Sequence, residues 1–457
     1  MRSTRLFGVA FAAAMLFVSA SEAATAPALT RARLANGLNV IVMPSQRLPL
    51  VDFRLVARAG SVQDPEGKGG VAQLTAELLT QGAGKRSAQQ LAEDIEFVGG
   101  SLSAGAGQEQ FTVSAEVLKK DFALGLELFR DCVVTPTFAA EEFARKREET
   151  LGAIASDKSE PSVIAEEKFA SYLWGASPLA RPARGTETSV AAITREDVAA
   201  FHKRFVAPER ATLVIVGDVD AKTAIAAVTK AFAAWKRSGA PLDDPYGAAP
   251  AVKGRQVRII DKPEATQTQI RLGCPGVSRS DPDYYALQVA NTILGAGFTS
   301  RLVNSIRVEK GLTYSINSRF GMLRGAGSFR ISTFTRNDKL RICVDAVLAE
   351  VQKLVDEGPT DAELDKSRNY LTGQYPIGLQ APDDLAGEIA NVEFFGLDPR
   401  FIQTYNDRVR AVSMADVKRV LKSRFCTQDM KILVVTNGEM AKKALEGLGT
   451  IEVKPID

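Results

Sequence analysis

Histidine occurs once in the 457 residues, at His202. That scarcity excludes more chemistry than any other feature of the chain. A catalytic zinc site typically takes two or three imidazoles or thiolates plus a carboxylate from the protein. A Ser-His-Asp or Cys-His arrangement would have to be built around the single ring. The simplest reading of Phe201-His202-Lys203-Arg204-Phe205 makes His202 a surface helix residue. Cysteine is almost as scarce. Cys132, Cys274, Cys343 and Cys426 contain no C-x-x-C spacing and resemble neither a zinc knuckle nor a redox pair. Burial as free thiols is the expectation, with one bridge among the last three left open. No G-x-S-x-G surrounds any serine, and Gly67-Lys68-Gly69-Gly70 and Gly295-Ala296-Gly297 match neither the P-loop nor the dinucleotide fingerprint. These glycines read as turns and helix boundaries. The chain also lacks a block of one charge sign. Its 57 basic and 54 acidic side chains, net +3, are spread along the whole length, which argues against a nucleic-acid partner.

What is present describes a soluble globular chain, with 45% hydrophobic and 24% charged residues and a length that calls for more than one core. The first residues differ from the rest. Arg2 and Arg5 precede an apolar run from Leu6 to Ala20, and Ser21-Glu22-Ala23 places small residues where a signal peptidase reads. Residues 1–23 are therefore expected to be a secretory signal peptide, with a mature, exported chain, periplasmic in a bacterium, starting near Ala24. The run is too short and too Ala-rich for a stable membrane span.

The mature part repeats itself. Pro136-Thr137, followed by Ala140, Glu141, Lys146 and Leu151, returns as Pro359-Thr360, followed by Ala362, Glu363, Lys366 and Leu371, at an offset of 223. Ile193-Thr194-Arg195-Glu196-Asp197-Val198, leading to ATLVIVG at 211–217, returns as Val412-Ser413-Met414-Ala415-Asp416-Val417, leading to KILVVT at 431–436, at an offset of 219. Landmarks at nearly constant offset indicate two homologous halves, 24–245 and 246–457, joined near Gly239–Lys253. Within the first half, 38–43, 51–59 and 110–117 read as strands, and 69–79, 88–98, 118–133, 139–157 and 195–205 read as helices. Thr194 with Asp197 and Ser413 with Asp416 fit helix N-caps. Runs of helices between antiparallel strands imply an α+β layer structure in each half.

The stretch from Ala59 to Gly82, with Gly70-Val71-Ala72-Gln73-Leu74-Thr75-Ala76-Glu77-Leu78-Leu79 at its centre, resembles the signature region of the pitrilysin, insulinase and mitochondrial processing peptidase family. In that family a helix carries His-x-x-Glu-His, whose spacing sets two imidazoles one turn apart on one face beside a water-activating carboxylate. Here Gln73 stands at the first His position, Ala76 at the Glu and Glu77 at the second His. A later Glu ligand of the family corresponds to Ala153, in a stretch where Lys146 replaces another carboxylate. The frame of a zinc site persists without its ligands, so the chain is expected to hold no metal and to cut no peptide alone.

A second resemblance points the other way. Ser300-Arg301-Leu302-Val303-Asn304-Ser305-Ile306-Arg307-Val308-Glu309-Lys310-Gly311-Leu312-Thr313-Tyr314-Ser315 is similar to the family's other hallmark, an Arg followed seven residues later by a Tyr. The resemblance implies that Arg307 and Tyr314 bind substrate backbone and help stabilise an oxyanion. Locally, Arg307 is expected in the last turn of a helix, Gly311 at its left-handed end and Tyr314 at the start of a strand. Gly99–Ala106 resembles the family's edge strand, which binds peptide by β-augmentation; relatives often carry Asn where Ser103 stands. The resemblance further implies two homologous domains, each a mostly antiparallel sheet packed with helices, and a clamshell-forming dimer. Its fit is to a non-catalytic subunit that lends Arg307 and Tyr314 in trans to a homologous partner bearing an intact His-x-x-Glu-His and its zinc. The alternatives are an inert scaffold and a peptide-binding homodimer of the same fold.

Overall fold

A computed structural model of the protein describes residues 29–241 and 246–456. The expected signal peptide and part of the expected junction lie outside the described residues.

Twelve strands among the described residues form two six-stranded sheets. The first contains β1 (Thr30–Arg33), β2 (Asn39–Pro44), β3 (Leu50–Arg58), β4 (Ser101–Ala106), β5 (Gln110–Leu118) and β6 (Ala211–Gly217), in the order β1-β2-β6-β3-β5-β4. The second contains β7 (Arg255–Asp261), β8 (Gln267–Gly276), β9 (Ile316–Met322), β10 (Gly327–Arg336), β11 (Met430–Thr436) and β12 (Thr450–Lys454), in the order β12-β7-β11-β8-β10-β9. The repeat seen in the sequence is thus a repeat of topology. In both sheets the last-arriving inner strand pairs parallel on one side and antiparallel on the other: β6 with β2 and β3, β11 with β7 and β8. Only the outer edge differs: β1 runs antiparallel to β2, whereas β12 runs parallel to β7. The architecture is the expected α+β one, with mostly antiparallel sheets and helices on their faces.

β5 shows how the sequence specifies a face. In QFTVSAEVL, Phe111, Val113, Ala115 and Val117 alternate inward to the helices of the first half, and Gln110, Thr112, Ser114 and Glu116 point to the other face. β6 breaks that alternation, since every residue of ATLVIVG is buried. The reason is a helix from the second half, Pro382–Phe395, laid across β3 and β6. Leu213 and Ile215 enter the core of the first half, while Val214 and Val216 meet Ala386, Ile389, Ala390 and Phe394 of that helix. The arrangement is reciprocal. The helix Pro161–Trp174 of the first half crosses β8 and β11, and Ile164, Phe169 and Leu173 pack on Leu433 and Val435. Both helices start with proline at their first position, where no N–H is needed. A strand covered on both sides must be apolar on both, which explains the unbroken runs of β6 and β11. The halves are interlocked by these exchanged helices.

Both expected N-caps form complete capping boxes, Thr194 with Asp197 and Ser413 with Asp416. His202 departs from its expected surface role. It is half-buried, donates from Nε2 to Val133 O at 2.9 Å and meets the Phe138 ring edge-on, and burial lowers its pKa. The question left open for the cysteines is answered by a Cys274–Cys426 disulfide, while Cys132 and Cys343 are buried free thiols.

Candidate functional site

The helix on which the resemblance places the zinc-site positions runs over Val71–Leu78, opened by Gly70 in a left-handed conformation (φ 98°). The buried Asp64 carboxylate caps it, accepting from Gly70 N at 2.7 Å and Ala72 N at 3.0 Å. Burial raises the Asp64 pKa from 3.8 to about 7, and the two N–H groups at the helix start, with the dipole, oppose that rise. The helix is therefore set firmly in place, and its side chains make a metal-free arrangement. Gln73 Nε2 donates to Glu77 Oε1 at 2.7 Å, and Gln73 Oε1 accepts from Ala106 N at 3.1 Å. Ala76 is fully buried in the core of the first half. Ala153 is exposed on the helix Ala140–Asp157, and Lys146 pairs with Glu149 at 2.9 Å. Zinc does not fit here. The amide and carboxylate satisfy each other, and neighbouring positions offer methyl groups. No group of three or more His, Cys, Asp or Glu among the described residues could hold a metal ion.

Gln73 also alters the edge strand. Among the described residues β4 ends the first sheet, pairing only with β5, and its last residue, Ala106, is the one whose N–H Gln73 takes up. Ser103 Oγ lies 3.0 Å from Ser114 Oγ across the β4–β5 pair. The strand expected to accept a peptide is thus tied at one end to the helix Val71–Leu78.

The second-half corner is built differently from its first-half counterpart. In the first half the segment between the helix Val71–Leu78 and β4 is a regular α-helix, Ala88–Phe97, with a Ser87–Gln90 capping box. Between β8 and β9, two stretches wind as π-helix, Thr292–Ala296 and Val303–Glu309. The second closes with Lys310 N bonded to Ser305 O at 3.2 Å and Leu312 N to Ile306 O at 3.0 Å. Gly311 then takes φ 58°, as expected of the residue that ends the helix. π-winding is rare and concentrates at functional sites. Arg307 sits in this widened turn. Tyr314 does not begin the strand as the sequence implied: β9 starts at Ile316, and Tyr314 stands in the connection, free to turn outward. The structure brings the two side chains together, with the Arg307 guanidinium 4.9 Å from the centre of the Tyr314 ring.

Sequence reasoning missed Phe298, whose ring centre lies 5.2 Å from the same guanidinium. Phe298 is 77% exposed and Tyr314 76% exposed. A signal was available: Phe298 is a large apolar residue inside the small, turn-forming Gly295–Ser300, with no helical or strand periodicity to bury it.

Residues 40–187 match the family described as Insulinase (Peptidase family M16), and residues 192–371 match its Peptidase M16 inactive domain. The chain belongs to this family. It is 28% identical over 403 residues to an uncharacterized zinc protease of Streptomyces coelicolor, which covers 86% of each chain. It is 24% identical over 410 residues to a Helicobacter pylori protein named non-peptidase homolog YmxG, covering 88% of this chain and 93% of that one. A crystal structure of a peptidase M16 inactive domain from Pseudomonas fluorescens matches with a TM-score of 0.84 at 26% identity, over 94% of this chain and 100% of that one. The chain is thus an insulinase-family protein without the family's metal motif.

Proposed function

We propose that this chain is the non-catalytic subunit of a heterodimeric zinc metallopeptidase and lends Arg307 and Tyr314 to a homologous partner that carries the metal. The reading is carried by the contrast between the two homologous copies. In the first, Gln73 and Glu77 satisfy each other over a core alanine. In the second, Arg307 has no hydrogen-bond or ion-pair partner among the described residues and lies beside the exposed Tyr314, in a helix distorted from its regular counterpart. A free guanidinium and a phenol are donors suited to a peptide carbonyl and to the negative oxygen that develops on it during hydrolysis. The protein acts after export, in the periplasm. The Cys274–Cys426 bridge supports that compartment, because such bridges persist where the surroundings are oxidising.

The decisive experiment is co-purification from the native host with metal analysis of each chain. The reading expects a companion of similar length that holds zinc, this chain holding none, and peptide cleavage only by the pair. Stoichiometric zinc in this chain, or cleavage by it alone, would overturn it. A scaffold role is the second reading, favoured by the name of the Helicobacter pylori relative, and it expects a companion with no dependence of cleavage on Arg307.

A further inference from the structure

Arg307 has no hydrogen-bond or ion-pair partner among the described residues, yet it is half-buried. Its contacts are aromatic: Phe298 at 5.2 Å and Tyr314 at 4.9 Å from the guanidinium carbon. Phe298 comes from the turn between the two π-wound stretches and takes no part in the hydrophobic core of the second half. An arginine side chain has several rotatable bonds, and an unpaired one on the surface samples many poses. Stacking on a ring restricts those poses while leaving the in-plane N–H groups available, because the attraction acts on the flat face of the guanidinium. A carboxylate partner would restrict it as well, but would consume the donors.

We propose that Phe298 is a positioning residue that holds Arg307 ready for a peptide carbonyl oxygen. The inference rests on the reading above, that Arg307 grips peptide substrate. It assigns to an exposed phenylalanine, otherwise costly on a surface, a role in keeping a cation oriented without neutralising it.

The test has two arms on the full chain. In the first, the side-chain Nε–H resonance of Arg307 is followed in arginine-labelled protein, assigned by its loss in Arg307→Lys. Phe298→Leu and Phe298→Ala are expected to move it toward the position of free arginine, and Phe298→Tyr to keep it. In the second, kcat and KM for a fluorogenic peptide are measured with the chain co-purified with its zinc-bearing companion. Phe298→Leu should lower kcat/KM about two- to fivefold, the loss expected of one exposed cation–π contact, and Phe298→Tyr should restore it. A resonance unmoved in Phe298→Leu overturns the inference. So does unchanged kcat/KM in Phe298→Leu when Arg307→Ala lowers it, and the functional reading then stands. Unchanged cleavage in Arg307→Ala would remove the functional reading itself, and the positioning role with it.

Discussion

Gln73 donates to Glu77 at 2.7 Å and accepts the Ala106 N–H at 3.1 Å, so one amide joins the helix Val71–Leu78 to the end of the edge strand. Gln73→Leu removes both, and each is worth about 0.5–1.5 kcal/mol net. The expected result is a stability loss of about 1–3 kcal/mol in urea unfolding, with faster amide exchange at Ala106 and little change in the β5 amides. Protection at Ala106 equal to the wild type would show that the amide does not tie the strand.

Much of this was legible in the residues themselves. Capping boxes are local, so Thr194–Asp197 and Ser413–Asp416 fixed two helix starts correctly, and the alternation of Phe111, Val113, Ala115 and Val117 fixed the inner face of β5. That Gln73, Ala76 and Glu77 supply no imidazole pair is readable directly, because metal ligation depends on residue type at fixed spacing. What escaped was set by distant parts of the chain. Nothing near Pro161 or Pro382 announces that each helix covers the sheet of the other half, although the unbroken apolar runs of β6 and β11 are its trace. The π-winding around Arg307 and the approach of Phe298 likewise depend on how two turns are closed in space. His202 was misjudged because a helix residue's exposure depends on its neighbours, here Val133 and Phe138.

The cysteines divide into two kinds with different expected behaviour. Cys274 in β8 and Cys426 beyond the helix Met414–Arg424 close a loop of 152 residues. Cross-links of this kind typically contribute about 2–4 kcal/mol. Cys274→Ser should therefore lower the melting temperature, and reductant should lower the wild type to the same value without affecting the variant. Burial pushes the Cys132 thiol up to about 12 and Cys343 up to about 11. Thiol titration of the oxidised native chain should find neither, and unfolding should release both. A thiol reactive in the native state would contradict the burial.

Asp52 gives the molecule an unusual dependence on pH. It lies in β3 beneath the exchanged helix Pro382–Phe395, is 2% exposed, and its Oδ1 has no hydrogen-bond partner among the described residues. Burial, opposed by Arg54 and assisted by Asp383 and Glu116, raises its pKa from 3.8 to about 7. The folded state then holds a proton that the unfolded chain has already released between about pH 4 and 7. Stability from this group is present below pH 4 and is lost as pH rises to about 7, by about 4 kcal/mol in the limit. Asp52→Asn removes the titration. The variant should gain on the wild type in urea unfolding between pH 4.5 and 7.5, and a difference independent of pH would refute the assignment.

Arg307 and Tyr314 are the residues on which the proposed role stands, and their variants separate it from simple stability. Tyr314 is largely exposed and Arg307 has no ion-pair partner among the described residues to strand, so neither substitution should disturb folding by more than a few tenths of a kcal/mol, as is usual for surface positions. Arg307→Ala should nevertheless lower kcat/KM of the assembled pair by roughly 10²–10³, the usual cost of losing one oxyanion donor. Tyr314→Phe removes a single neutral donor and should cost about five- to tenfold. Because a donor to the developing oxyanion acts most strongly in the transition state, the loss should fall chiefly on kcat. A rise in KM alone would assign the pair to substrate binding, and an unchanged rate at normal thermal stability would leave the corner without a catalytic part.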